Sequence, residues 1–274
     1  MNKFEAPLRG KFLFLLIPTL VGTVYLGSTV LSSSGKKDTR IVKVDNYTQS
    51  CELTNVQRHK DHIRVTVQNN SNTGITEFVL TSRIDPRTVF TEKVDFAFSE
   101  LEGGDAIPPG GGYDYVIYPP GTLNQQPEIA LNLSAVIYQD GSSEGDPKAI
   151  RDAMDYRLGQ KIQIMKILPV LDKLSRLSEA ELGDYWGQAV RQDFGVALNA
   201  PDRSLLIKLN KKPLSNDEPD NESEQFKSGA KGEKESVFYK YQDLTDGLKR
   251  HGAPFLRERI VELKRLYTKI VSQP

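Results

Sequence analysis

The run Asp140-Gly141-Ser142-Ser143-Glu144-Gly145-Asp146 combines three carboxylates with two glycines. With Asp140 as position one, Asp140, Ser142 and Glu144 fall at one, three and five and Gly145 at six, as an EF-hand-type calcium loop begins, and Asp146 adds a further donor. The pattern then stops. Position twelve is Arg151, where a bidentate Glu should close the shell, and Ser142 is a neutral ligand, so Asp152 or Asp155 would have to substitute from the following segment. A hard cation is the chemistry this loop could carry. The residues fit a structural turn better, with Asp146 as a helix cap and the glycines supplying positive φ.

Other donor groups are weaker. His59, Asp61 and His62 follow Cys51 at a distance that would suit a transition metal, but they sit in a polar tip where the histidines point to opposite strand faces. Tyr113, Tyr115, Tyr118 and Tyr138 could form an aromatic platform for a glycan or peptide; Tyr113 and Tyr115, two apart, equally suit one core-facing side. No Gly-x-Ser-x-Gly elbow, His-Glu-x-x-His helix or phosphate-binding glycine motif occurs in the chain. Gly110 to Gly112 follow prolines and precede a strand, so no helix N-terminus is there to hold phosphate. These absences argue against an enzyme.

Composition narrows the classes. Thirty-six basic residues balance thirty-six acidic ones, so no global field favours nucleic acid. Cys51 is the only cysteine, which excludes an intramolecular disulfide and a multi-cysteine zinc site. A mean hydropathy of −0.44 implies a substantial solvated fraction.

The N-terminus has its own character. Phe12 to Leu31 carries no charge and follows Lys3, Arg9 and Lys11, the flank that stays cytoplasmic. Such a stretch can cross ~30 Å of hydrocarbon at ~1.5 Å per residue. Residues 1–35 are therefore expected to export the chain to the periplasmic or extracytoplasmic side. A retained single-span anchor is favoured over a cut near Ser34 or Gly35, and no cysteine is placed for a lipid.

The elements that would position these groups follow in order. Short apolar runs separated by turn residues fill residues 40–140: IVKV, CELTNV, HIRVTV, ITEFVLTSRI, VDFAF, YDYVIY and IALNLSAVIY. Seven such runs predict an immunoglobulin-like β-sandwich. In the last, Leu131, Leu133, Ala135 and Ile137 share one side of a period-two pattern. The period then becomes helical. Asp146 and Pro147 form a helix start, and Ile150, Met154, Leu158, Ile162 and Met165 continue an apolar stripe to Leu168, where Pro169 should kink or end it. Ser178 and Glu181 fit a capping box for a second helix reaching Asn199. Residues 146–210 thus read as a helical region, 211–235 as a disordered linker of mixed charge, and 236–274 as a helical hairpin about Gly252 and Pro254.

The segment LSAVIYQDGSSEGDPKAI with RLGQKIQIMKILPVL resembles a group of uncharacterised bacterial exported proteins, in which a β-module ends in a D-G-S-x-E-G-D turn and continues as a long helix. The resemblance covers about a quarter of the chain, supports the β-then-α order and implies no activity.

The expectation is an α+β protein of the cell envelope, non-enzymatic and without a cofactor, that binds or scaffolds a protein partner and meets the membrane through its N-terminal segment. A glycan- or ligand-binding module is the alternative, and a hydrolase with an unrecognised site the second. The turn at residues 140–146 is too short to let strand and helix move freely, so a functional surface is expected where that helix leaves the sheet.

Overall fold

A computed structural model describes residues 41–83, 89–96, 106–118, 128–201, 203–210 and 223–272. The expected export segment and the linker between 211 and 222 lie outside the described residues. Strands β1 (Ile41–Asn46), β2 (Cys51–Arg58), β3 (Ile63–Asn69), β4 (Ile75–Arg83), β5 (Val89–Asp95), β6 (Gly112–Ile117), β7 (Glu128–Tyr138) and β8 (Ser143–Gly145) precede the helices. These are α1 (Pro147–Ser175), α2 (Glu179–Tyr185), α3 (Gln188–Leu198), α4 (Arg203–Asn210) and α5 (Glu224–Ser272). The chain is mixed α+β, with its sheets first and its helices after. No helix of the described residues is long and apolar enough to cross a membrane.

Two sheets share one core. One has the order β2-β3-β6; the other has the order β1-β7-β4-β5, with β8 also on β7. Ile63, Val65 and Val67 of the first meet Phe78, Leu80, Leu131 and Leu133 of the second. The expected strand VDFAF is shifted: β5 starts at Val89 and ends at Asp95, in register with Arg83 and Glu77 of β4, and Phe96 turns into the core.

The free edge of β7 is covered in two pieces. β8 folds back antiparallel onto residues 135–137, while β1 runs parallel along residues 128–133 and adds Val42 and Val44 to the core. β1 is held by a clamp: Glu144 accepts the Gln49 and Ser50 amides, both at 2.9 Å, and the Ser50 hydroxyl at 2.7 Å.

A bulge in the β4–β7 pairing passes over Ser134 and reverses the side-chain phase of β7. Leu131 and Leu133 therefore face the sandwich core, but Ala135 and Ile137 face the helix, and Val136 and Tyr138 take their place inside. The expected single face is corrected by one extra residue. The Ser134 carbonyl freed by the bulge accepts the Asp146 amide at 2.7 Å. Gly145 (φ +124) lies against it, and an added Cβ would stand 2.2 Å from that oxygen.

Asp146 caps α1 by accepting the Ala149 amide at 2.9 Å, with Pro147 in the first turn. Ala149, Ile150 and Ala153 then pack on Val79, Ala135 and Ile137, which fixes the helix to the outer face of the sheet. Pro169 does not end α1. The stripe Ile164, Ile167, Leu171 and Leu174 is buried on both sides of it, and that burial outweighs the ~3 kcal/mol of an interior proline.

The expected second helix is broken at Gly187 (φ +112), so that α2 keeps the Ser178–Glu181 capping box and α3 starts afresh. The break lets Trp186 stack on Tyr241 at 5.4 Å and donate to the Thr245 hydroxyl at 3.0 Å. α5 folds back on itself at Gly252 (φ +81), giving two antiparallel arms that pack on α1 around Leu171, Leu244, Leu256 and Ile260. The hairpin is longer than expected. Residues 224–235, read as part of a linker, are helical because Phe226, Gly229, Ala230 and Glu233 are buried, Phe226 and Ala230 packing with Ile162.

Candidate functional site

Where α1 leaves the sheet, a cleft of about 870 Å³ opens between the two. Its floor is the outer face of the larger sheet: Glu77 and Thr81 from β4, Lys93 and Asp95 from β5, Asn132 and Ser134 from β7. Strand alternation and the bulge put these side chains on one surface. Its wall is the row Lys148, Asp152, Tyr156 and Gln160, four apart and hence stacked along one helix face. Tyr47, 59% exposed in the turn after β1, stands at the rim.

The deep end holds an ion cluster. Arg157, 7% exposed, donates to both Asp95 oxygens at 2.7 and 2.8 Å and to the Thr76 carbonyl at 3.1 Å. Glu77, 1% exposed, stands 2.7 Å from the Arg157 Nε, yet neither of its oxygens accepts a hydrogen bond among the described residues, since the guanidinium N–H groups are turned to Asp95 and Thr76. Burial, with the Asp95 carboxylate beside it, pushes Glu77 from the ordinary 4.5 up to about 8; Arg157 and Lys93 oppose this without cancelling it. Lys93 is braced by the Asp152 carbonyl at 3.2 Å, Gln225 Oε1 at 2.8 Å and the Tyr156 ring at 5.0 Å, and burial pulls its ammonium pKa down.

The cleft offers hydrogen-bond acceptors without partners. Besides Glu77, Asn132 Oδ1 and Gln160 Oε1 are buried and accept nothing among the described residues. Among the described residues no histidine or cysteine lines it, and its opposing charges are largely paired already, Lys148 to Asp152 and Arg157 to Asp95. Such a surface can hold and orient a polar molecule.

The residues singled out from the sequence are placed elsewhere. Asp140 accepts the Ser142 amide and hydroxyl, Glu144 clamps the β1–β2 turn, and Asp146 caps α1. The loop's carboxylates are therefore directed at separate backbone groups, and no cluster of metal-holding side chains exists among the described residues. Tyr113 and Tyr115 pack partly buried against Phe78 between the sheets, and Tyr138 is buried with its hydroxyl 3.3 Å from Cys51 Sγ. Tyr118 alone of the four is exposed, beside His62, so the four form no common platform. His59 and His62 stack at 4.3 Å and His62 meets Asp61 at 2.8 Å on the surface, whereas Cys51 is buried with its thiol beside Asn69 and Tyr138.

Sequence reasoning missed Glu77, Arg157 and the helix row. The signals were present: a Glu in the middle of the apolar run ITEFVL, an Arg interrupting the stripe between Met154 and Leu158, and polar residues at every fourth position from Lys148. Comparison with family models, curated proteins and solved structures returns no match.

Proposed function

We propose that this protein is a non-enzymatic binding module of the cell envelope, tethered by its N-terminal apolar segment, that engages its target in the cleft between sheet and α1. The observation that carries the reading is the set of buried side-chain oxygens on Glu77, Asn132 and Gln160 that have no hydrogen-bond partner among the described residues, because leaving such groups unsatisfied costs about 1–3 kcal/mol each and a bound polar partner would recover part of it. Rigid walls support it. The cleft is bounded by a helix capped at Asp146 and locked to β7 by the Gly145–Ser134 contact, so little ordering is required on binding.

The envelope location rests on the charge-free stretch from Phe12 to Leu31 and its basic flank. The immunoglobulin-like reading rests on two sheets around one core, with strand β1 lying parallel on β7 as a distinctive addition. A scaffolding role is the second reading, favoured by the long hairpin of α5, which exposes Phe238, Tyr239 and Val261.

Hydrogen exchange on the full-length, detergent-solubilised chain, with and without a fraction of envelope extract, tests the choice. Protection is expected at residues 77–81 and 148–160. Protection confined to α5 would replace cleft binding by scaffolding.

A further inference from the structure

We infer that the ligand of the cleft is a neutral saccharide, an inference that rests on the cleft being the binding site. Charge argues first. Asp95, Asp146 and Asp152 match Arg83, Lys93 and Lys148 in number, and Arg157 behind them is turned to Asp95, so the lining presents no strong net field that would select a highly charged molecule. A bare metal ion is disfavoured because the guanidinium of Arg157 already occupies the space shared by Glu77 and Asp95.

Polarity argues second. Val79 and Ala149 are the aliphatic members of the lining, which gives an apolar ligand little to bury. Asn132 Oδ1 and Gln160 Oε1 are unmet acceptors, and a hydroxyl-rich ligand supplies donors to them while accepting from the Lys93 ammonium and the amides of Asn132 and Gln160.

Shape argues third. From Glu77 to Thr81 the floor runs four residues, about 13 Å at ~3.3 Å each, a length that a disaccharide spans. Tyr156 in the wall and Tyr47 at the rim supply aromatic rings of the kind on which the C–H side of a sugar packs. Tyr47 is the freer of the two, since Lys93 lies over Tyr156.

Calorimetric titration of the full-length protein with cellobiose, maltose and N,N′-diacetylchitobiose, beside putrescine and citrate as charged probes, tests this. At least one disaccharide is expected to bind. Tyr47→Ala, at an exposed position, should weaken it about three- to tenfold, and Asn132→Ala tenfold or more, with melting temperatures close to the parent's. If putrescine or citrate binds in the cleft and no disaccharide does, the saccharide inference is overturned and cleft binding stands. Disaccharide binding that neither variant changes also overturns it. If no probe binds, the saccharide inference is overturned, and cleft binding is then judged by the hydrogen-exchange footprint alone.

Discussion

Glu77 is a costly residue for the β-module to bury. A carboxyl inside a sheet–helix interface loses its water and, in return, stands 2.7 Å from the Arg157 Nε without a hydrogen bond among the described residues. Its raised pKa has a thermodynamic sign. Between about pH 4.5 and 8 the unfolded chain has released this proton while the folded chain keeps it, so stability falls as pH rises through that window. The groups facing it are Arg157 of α1 with Asp95 and Lys93 of β5, all of which remain in the variant Glu77→Gln. Urea unfolding of Glu77→Gln at pH 5, 7 and 9 should show a stability advantage over the parent that grows with pH. A difference independent of pH would mean that Glu77 is ionised throughout. The apolar run around Glu77 is only half a signal: ITEFVLTSRI reads as a strand whether its Glu faces solvent or a helix, and only the Ala149–Ala153 contact decides.

At the scale of elements, α1 belongs to both halves of the molecule. Its first turns seat on Val79 and Ala135, and its later turns form a core with α5 through Ile164, Ile167 and Leu171. The crossing with α5 is made backbone to backbone. A Cβ on Gly159 would lie 2.2 Å from the Phe226 carbonyl oxygen, and one on Gly229 would lie 2.1 Å from that of Tyr156. Neither neighbour is a flexible side-chain end. Gly159→Ala or Gly229→Ala should therefore cost on the order of 3 kcal/mol, the upper range for overpacking, despite alanine's better helix propensity. Thermal melts followed by far-ultraviolet circular dichroism check this, and an unchanged or raised melting temperature would refute it. The start of α1 was legible, because Asp146-Pro147 is a local signal. Its length was not, because Pro169 speaks locally for a stop and the apolar contacts that override it come from distant residues such as Phe194, Leu244 and Tyr267. The same holds for residues 224–235, whose polar composition hides Phe226, Gly229 and Ala230 on one buried side.

For the whole molecule, the helical hairpin is the lid of the second core rather than an appendage. Tyr267 donates to Glu233 at 2.9 Å and accepts from Lys240 at 2.6 Å, which ties the two arms, and Lys264 binds Asp172 of α1 at 2.6 Å. Deleting residues 237–274 would strip cover from Ile164, Ile167, Leu171 and Leu174. The truncated chain should lose protection along the second half of α1 in hydrogen exchange and aggregate, while β2 to β4 stay protected. A truncated protein as stable as the parent would show that the hairpin contributes no core. The β-then-α order was legible from the change of hydrophobic period near residue 140. The candidate site was not, since it is made by laying one face of a helix across one face of a sheet, and neither face is distinguished until the other is known.

The placement of β1 has a mechanical consequence. The six-residue strand enters from the N-terminal segment and runs parallel to β7, which leads on into α1. Tension between the N-terminal segment and the rest of the chain therefore draws β1 backward and β7 forward, along the strands and in opposite directions. The slanted bonds of a parallel ladder, together with Val42 and Val44 in the core, then share the load at once instead of peeling in turn. Strength against such a pull is governed by the unfolding rate rather than by the equilibrium stability. The first strand is thus placed to load its contact with β7 in shear, and Glu144 holds the turn that follows it.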